Sequence, residues 1–328
     1  MDKRKYTIIT ECVPCGKNFI YQYFINNLKL FIKIIFNNKS YYDWQYGGHS
    51  AVTRSLIYGF KNCNINFNYN PSSFKELSSS VIVLSNFKAL KQMINLKKLG
   101  YIKKIFAGPN IVDFSPDYNF LITSSEIDLI IVPSEWVRSI YIEDAPFVAD
   151  KIFVWPAGVD VNYWSSENNN NKSILIYNKK FKKNSLTLKQ YIEVLKKLSL
   201  KFEIITVDED NSYTSAQYKH LLQNSKLMIV FSDSESQGIA LAEAWSMNVP
   251  TLVQKQTHNI LHGRKVFVSS APYLCSSNGV FFNDFDDFKV KLQSCLLNYK
   301  KFSARNWVIN NMSDEIISKK LYKKIITC

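Results

Sequence analysis

Apolar residues along the chain fall into two alternating patterns. Short, mostly apolar runs at 6–10, 81–84, 102–106, 127–132, 151–154, 173–177, 202–207, 227–231, 251–253, 266–268 and 279–282 read as strands, 227–231 being continuously apolar. Runs of that kind suit strands covered on both faces in a parallel sheet. Between them lie stretches with helical spacing at 20–36, 87–99, 188–198, 216–223, 239–247 and 288–297. Further helices are expected from His49 to Gly59, from Ser134 onward, and from Ser313 to Ile325. Strand and helix in alternation predict an α/β protein.

Residues 227–253 show the unit most clearly. Leu227 to Phe231 is a buried strand, Ser232 to Gly238 a polar loop, and Ile239 to Met247 a helix with Ile239, Ala242 and Met247 turned inward. Val249-Pro250 stops that helix, because the residue before proline avoids helical angles. In open α/β sheets, ligands bind at the carboxyl ends of the strands. Glu235 and Glu243 stand there, and Gly238 permits close approach to the backbone. The free N–H groups of the first helical turn suit a phosphate. Glu243 follows at about 1.5 Å per residue, so a phosphate fits between two hydroxyl-binding carboxylates.

The totals narrow the class. A chain of 328 residues, 46% hydrophobic, is long enough for two domains. No apolar run reaches the roughly 18 residues of a spanning helix, and the first residues lack a secretory pattern. A cytoplasmic protein is expected. Net charge is +14, unevenly spread. Residues 1–104 hold 16 Lys/Arg and 4 Asp/Glu (+12), residues 105–150 hold 1 and 8 (−7), and residues 151–328 hold 24 and 15 (+9). The basic front end favours an anionic partner or a solvated basic face. In 20–36, Phe24, Leu28, Phe31 and Ile35 share one face and Lys29 and Lys33 another. This is a core helix or one lying on a membrane surface. Cys12-Val-Pro-Cys15 has metal-ligand spacing without a second pair, so reduced thiols are expected. His258 and His262 read as loop residues. Asp284-Phe285-Asp286 has metal-binding spacing and also fits a helix start, where acids meet the dipole; the latter is preferred, and no metal is expected.

The motifs carry a resemblance. Glu235-x7-Glu243 with Ala-Trp-Ser-Met-Asn-Val-Pro is similar to the signature of the retaining glycosyltransferases of family 4, also called group 1. Pro133-Ser134-Glu135-Trp136-Val137 and Pro156-Ala157-Gly158-Val159-Asp160 resemble other segments of that family, as do Gly47-Gly48 and Ser55 to Phe60. The resemblance implies that Glu235 lies by the donor sugar and Glu243 holds the ribose hydroxyls. It implies that Ser236, Gln237 and Gly238 offer N–H groups to the diphosphate, and that Lys179 and Lys183 neutralise it. Gly47, Gly48 and His49 are then candidate contacts in the first domain. Three departures stand out: Ser-Gln-Gly after Glu235 where the family has a Gly-Phe-Gly-like stretch, lysine where it has arginine, and no histidine in the loop at 106–110. Lysine supplies charge without the bidentate fork of arginine. Ser134 is expected to cap its helix.

The fold expected from these readings is GT-B: two Rossmann-like domains, 1–160 for the acceptor and 161–328 for the donor. They face a central cleft, and the last helix crosses back to the first domain. The implied activity moves a sugar from a nucleotide-sugar donor to a glycan or lipid-linked acceptor, with retention and without a cofactor. The implied partners are the nucleotide sugar, that acceptor and an anionic membrane surface, with peripheral attachment at its cytoplasmic face. A sugar-nucleotide epimerase of the same architecture and a non-catalytic scaffold with a basic anion-binding domain are the alternatives. No nucleic-acid motif is present.

Overall fold

The structure is a computed structural model that describes residues 5–14, 48–166, 173–182, 184–208 and 213–328. The chain divides into two compact units. One comprises Met1–Pro156 with Ile317–Cys328, the other Ala157–Ile316. Each is built on a parallel sheet, as the alternating runs predict.

In the first unit the strands are β1 (Tyr6–Ile9), β2 (Phe67–Tyr69), β3 (Ser80–Val83), β4 (Lys104–Ala107), β5 (Leu129–Val132) and β6 (Ile152–Val154). They run in the order β2-β1-β3-β4-β5-β6, each pair parallel. Helices α1 (Gly48–Asn62), α2 (Phe87–Lys98) and α3 (Glu135–Asp144) connect them. Asn86 caps α2, its side chain accepting from the Ala89 N–H at 3.0 Å. The face Ala89, Leu90, Met93 and Ile94 packs into one cluster with Val81, Val83 and Ile105. Burial of such side chains is the main source of stability.

The second unit orders β7 (Ser173–Asn178), β8 (Lys201–Thr206), β9 (Ser225–Phe231), β10 (Thr251–Gln254) and β13 (Gly279–Phe282) as β13-β10-β9-β7-β8, again parallel. A separate antiparallel hairpin, β11 (His258–Leu261) and β12 (Arg264–Phe267), follows β10. The helices are α4 (Leu186–Lys197), α5 (Ser215–Gln223), α6 (Ile239–Ser246), α7 (Phe285–Asn298) and α8 (Ala304–Asn311). Tyr191 on α4 anchors an aromatic core, its ring centroid 4.8 Å from that of Phe231 and 4.9 Å from that of Phe288. Arg305 ties α8 to the rest: its guanidinium donates to the carbonyls of Ser246 (2.6 Å), Trp164 (3.0 Å) and Val161 (3.0 Å).

The last helix, α9 (Asp314–Ile325), starts in the second unit and ends in the first, as expected. At its start a Cβ on Gly158 would lie 2.5 Å from the Asp314 Cα, so only glycine permits this approach. Further along, Ile317, Leu321 and Ile325, four residues apart, are buried. The Trp155 indole N–H donates to the Ile317 carbonyl at 3.0 Å, and Tyr322 meets the Tyr6 ring edge-on.

Several local expectations are corrected. Ser134 occupies the N-cap of α3 but makes no capping bond; its hydroxyl is buried without a partner. Helix α6 is buried almost all round rather than on one face, because α8 covers its other side through Trp307 against Trp245. His258 lies on a strand rather than in a loop. His262 and Gly263, both with positive φ, form the two-residue turn of that hairpin. Strand β2 and helix α8 went unread, since each is short and rich in asparagine and is held by tertiary contacts. Asp284 does start α7, its carboxylate accepting from the N–H groups of Asp286 (3.0 Å) and Asp287 (2.9 Å). Cys12, Cys63, Cys275, Cys295 and Cys328 are not joined in disulfides. The segment 20–36, Cys15, Gly47, Lys183 and the stretch 167–172 lie outside the described residues.

Candidate functional site

At the carboxyl end of β9 the chain turns through Ser232 and Asp233 into the Glu235 loop. The Glu235 N–H donates to the Ser269 carbonyl at 2.8 Å, which fixes the loop beside the segment after β12. One carboxylate oxygen of Glu235 accepts from the Lys179 ammonium at 2.7 Å and from the Ser232 hydroxyl at 2.9 Å. Lys179 follows β7, the strand next to β9, so adjacent strand ends bring the two together. The neighbouring Lys180 pairs with Asp233 at 3.1 Å. Thus Glu235 and Lys179, both implied by the family resemblance, are paired directly in the structure.

Gln237 does something the sequence did not suggest. Its side chain is buried and grips the backbone of Ala157, accepting from the N–H at 2.8 Å and donating to the carbonyl at 2.7 Å. This two-point clasp fixes the loop ahead of α6, while Ser236 remains exposed. Gly238 is the N-cap of α6 with φ of 82°, and it supplies no side-chain cap. The first-turn N–H groups therefore have no capping side chain, which suits an anion.

Glu243 lies five residues further along α6, about 7–8 Å of helix. It is 3% exposed, and its Oε2 has no hydrogen-bond partner. Burial pushes its carboxyl well above the ordinary carboxylate range. A buried acceptor without a donor is costly, and native structures keep few of them.

Three tyrosines were missed by the sequence reading. Tyr177 on β7, Tyr213 just before α5 and Tyr218 on α5 pack ring to ring, and the Tyr177 and Tyr213 hydroxyls are 3.3 Å apart. Burial, with the Glu235 carboxylate adding to it, pushes the Tyr213 phenol up to about 12 and the other two well above their ordinary value. All three therefore stay protonated, and Tyr218 donates to the Ala240 carbonyl of α6 at 2.8 Å. No single-sequence signal marks them, because they come together only through the sheet.

Gly48 and His49 belong to the first unit, where they open α1 and are exposed. The His49 carbonyl accepts from the Thr53 hydroxyl at 3.2 Å. Among the described residues, no group of three His, Cys, Asp or Glu side chains is placed to hold a metal ion.

Comparison with known proteins gives the fold a name. No family model matches the sequence, and no curated protein does. Solved structures do match along nearly the whole chain. HepE from Anabaena, determined in complex with UDP and glucose, superposes with a TM-score of 0.57 at 11% identity, over 99% of this chain and 100% of its own. The lipopolysaccharide outer core galactosyltransferase WaaB gives 0.60 at 15% identity, over 98% and 99%. Sucrose-phosphate synthase from Thermosynechococcus elongatus gives 0.53 at 11% identity, over 99% and 100%. The chain thus has the GT-B fold of glycosyltransferases, at identities that establish the architecture alone.

Proposed function

We propose that the protein is a retaining glycosyltransferase that uses a nucleotide-sugar donor. The observation that carries this reading is Glu243, a buried carboxyl with an orphaned oxygen one helix from the Glu235–Lys179 pair. Two ribose hydroxyls would supply the donors this carboxyl lacks. The uncapped first turn of α6, with Ser236 and Gly238 before it, would receive the diphosphate. Lys179, with Lys183, would meet the charge that grows as the bond from the anomeric carbon to the phosphate oxygen breaks. Glu235 would orient the sugar, sharing Lys179 with the diphosphate. The acceptor oxygen would then bond to the anomeric carbon on the face the diphosphate leaves, and its proton would pass to the departing phosphate. In this scheme the lysines and backbone amides carry the phosphate charge without a metal.

The acceptor is read as a glycan or lipid-linked molecule taken up by the first unit near Gly47, Gly48 and His49. This reading includes peripheral association with the cytoplasmic face of a membrane. Among the described residues, no helix is long and apolar enough to cross one.

Calorimetry with UDP tests the donor site. Glu243→Ala should weaken UDP binding by about 1–3 kcal/mol, two ribose hydrogen bonds at about 0.5–1.5 kcal/mol each. Equal affinities in parent and variant would remove Glu243 from the site, and no UDP binding by the parent would count against that donor.

A further inference from the structure

We infer that the outer face of the β11–β12 hairpin docks on a bilayer surface carrying anionic headgroups. The inference concerns residues outside the proposed donor contacts and stands whether or not sugar is transferred. In an antiparallel pair, directly opposed residues share a face, and faces alternate along each strand. The register pairs His258 with Phe267 and Ile260 with Lys265, so these four lie on one face. All four are exposed, Ile260 by 69% and Phe267 by 70%. The opposite face, with Asn259 and Val266, turns inward: Val266 is buried, and the Asn259 amide donates to the Ser234 hydroxyl at 3.2 Å. The hairpin is therefore anchored along one side and presents two large apolar side chains on the other.

The surrounding charge identifies the partner. Between Lys255 and Val268 the chain carries Lys255, His258, His262, Arg264 and Lys265 and no acidic residue. Two apolar side chains are too few for a stable protein interface, which needs about 800 Å² from each partner. They suffice for shallow insertion at a headgroup boundary when flanking cations add attraction to anionic lipid. The hairpin also adjoins the Glu235 loop through Ser234 and Ser269, so docking would bring that loop to the membrane surface.

The test uses the full chain and co-sedimentation with phosphatidylcholine vesicles, with and without phosphatidylglycerol. The parent should bind only the anionic vesicles and come off in high salt. Ile260→Ser with Phe267→Ser should weaken binding about a hundredfold, roughly what losing two inserted side chains removes. Circular dichroism and the UDP thermal shift should stay as in the parent, since both residues are exposed. In a second arm, Phe267→Trp should show blue-shifted emission on anionic vesicles. Absence of binding at low salt, equal binding by the double variant, or an unshifted tryptophan would each overturn the inference. So would equal competition from a soluble polyanion such as heparin for parent and double variant, which would mark a charge patch without insertion. A parent that binds vesicles but not UDP would sink the donor-site reading and leave this one standing.

Discussion

Glu243 carries the most information of any single residue. Its carboxyl is raised by burial, so the folded state holds a proton that the unfolded chain releases above about pH 4.3. The sign follows from linkage. Stability is full below that pH and falls as pH rises, until the folded carboxyl itself ionises. The slope is about 1.4 kcal/mol for each pH unit crossed in that window. Glu243→Gln removes the titration and keeps the shape. Its denaturation midpoint should exceed the parent's at pH 8 and converge with it toward pH 4. Parallel profiles would show that Glu243 is not protonated in the free protein. Under the proposed function, this loss of stability at neutral pH is retained for the ribose of the donor.

At the scale of elements, the loop before α6 is set by three devices. Gln237 clasps Ala157, Glu235 ties to Ser269 through its N–H, and Gly238 turns with positive φ into the helix. Space around Gly238 is not limiting, since an added Cβ would find only ordinary contacts at 3.5 Å or more. The backbone angle is limiting: a left-handed conformation costs an L residue about 1–2 kcal/mol. Gly238→Ala should therefore lower stability by about that amount in urea denaturation. It should weaken UDP binding as well if the turn receives the diphosphate. Loss of stability with unchanged UDP affinity would confine Gly238 to a structural role. The hairpin is the contrasting element, anchored by one face and exposed on the other, where the His258 ring packs 4.3 Å from the Phe267 ring.

For the whole molecule, the final helix makes the first unit depend on both ends of the chain. Leu321 is fully buried there, between Ile317 and Ile325, with Tyr322 against Tyr6. Leu321→Ala should cost about 2–5 kcal/mol through lost burial and the cavity left behind. Denaturant unfolding followed by probes in each unit should show the loss in the first unit, and an unaltered transition there would contradict the packing. Core of this kind, closed by residues far apart in sequence, forms late and slowly.

The central strands were legible because both their faces are covered, which makes them largely apolar, as in β1 and β5, whose residues are all buried. The same cause made Glu235 and Glu243 visible, as polar residues against an apolar background after β9. Lys179 was implied by the family resemblance, but its 2.7 Å pairing with Glu235 required β7 and β9 to be neighbours, which no local pattern states. The clasp of Gln237 on Ala157, the tyrosine trio and the grip of Arg305 on three carbonyls were likewise decided in three dimensions. Ser134 shows the reverse: a residue type suited to capping makes no cap, because the backbone around it leaves its hydroxyl buried and unpaired. Composition and spacing thus determined which segments become strands and helices and where the chemistry stands along the chain. Tertiary packing alone decided which polar groups find partners and which, like the Glu243 Oε2, are left without one, because hydrogen bonds between distant residues depend on distances that sequence order does not encode.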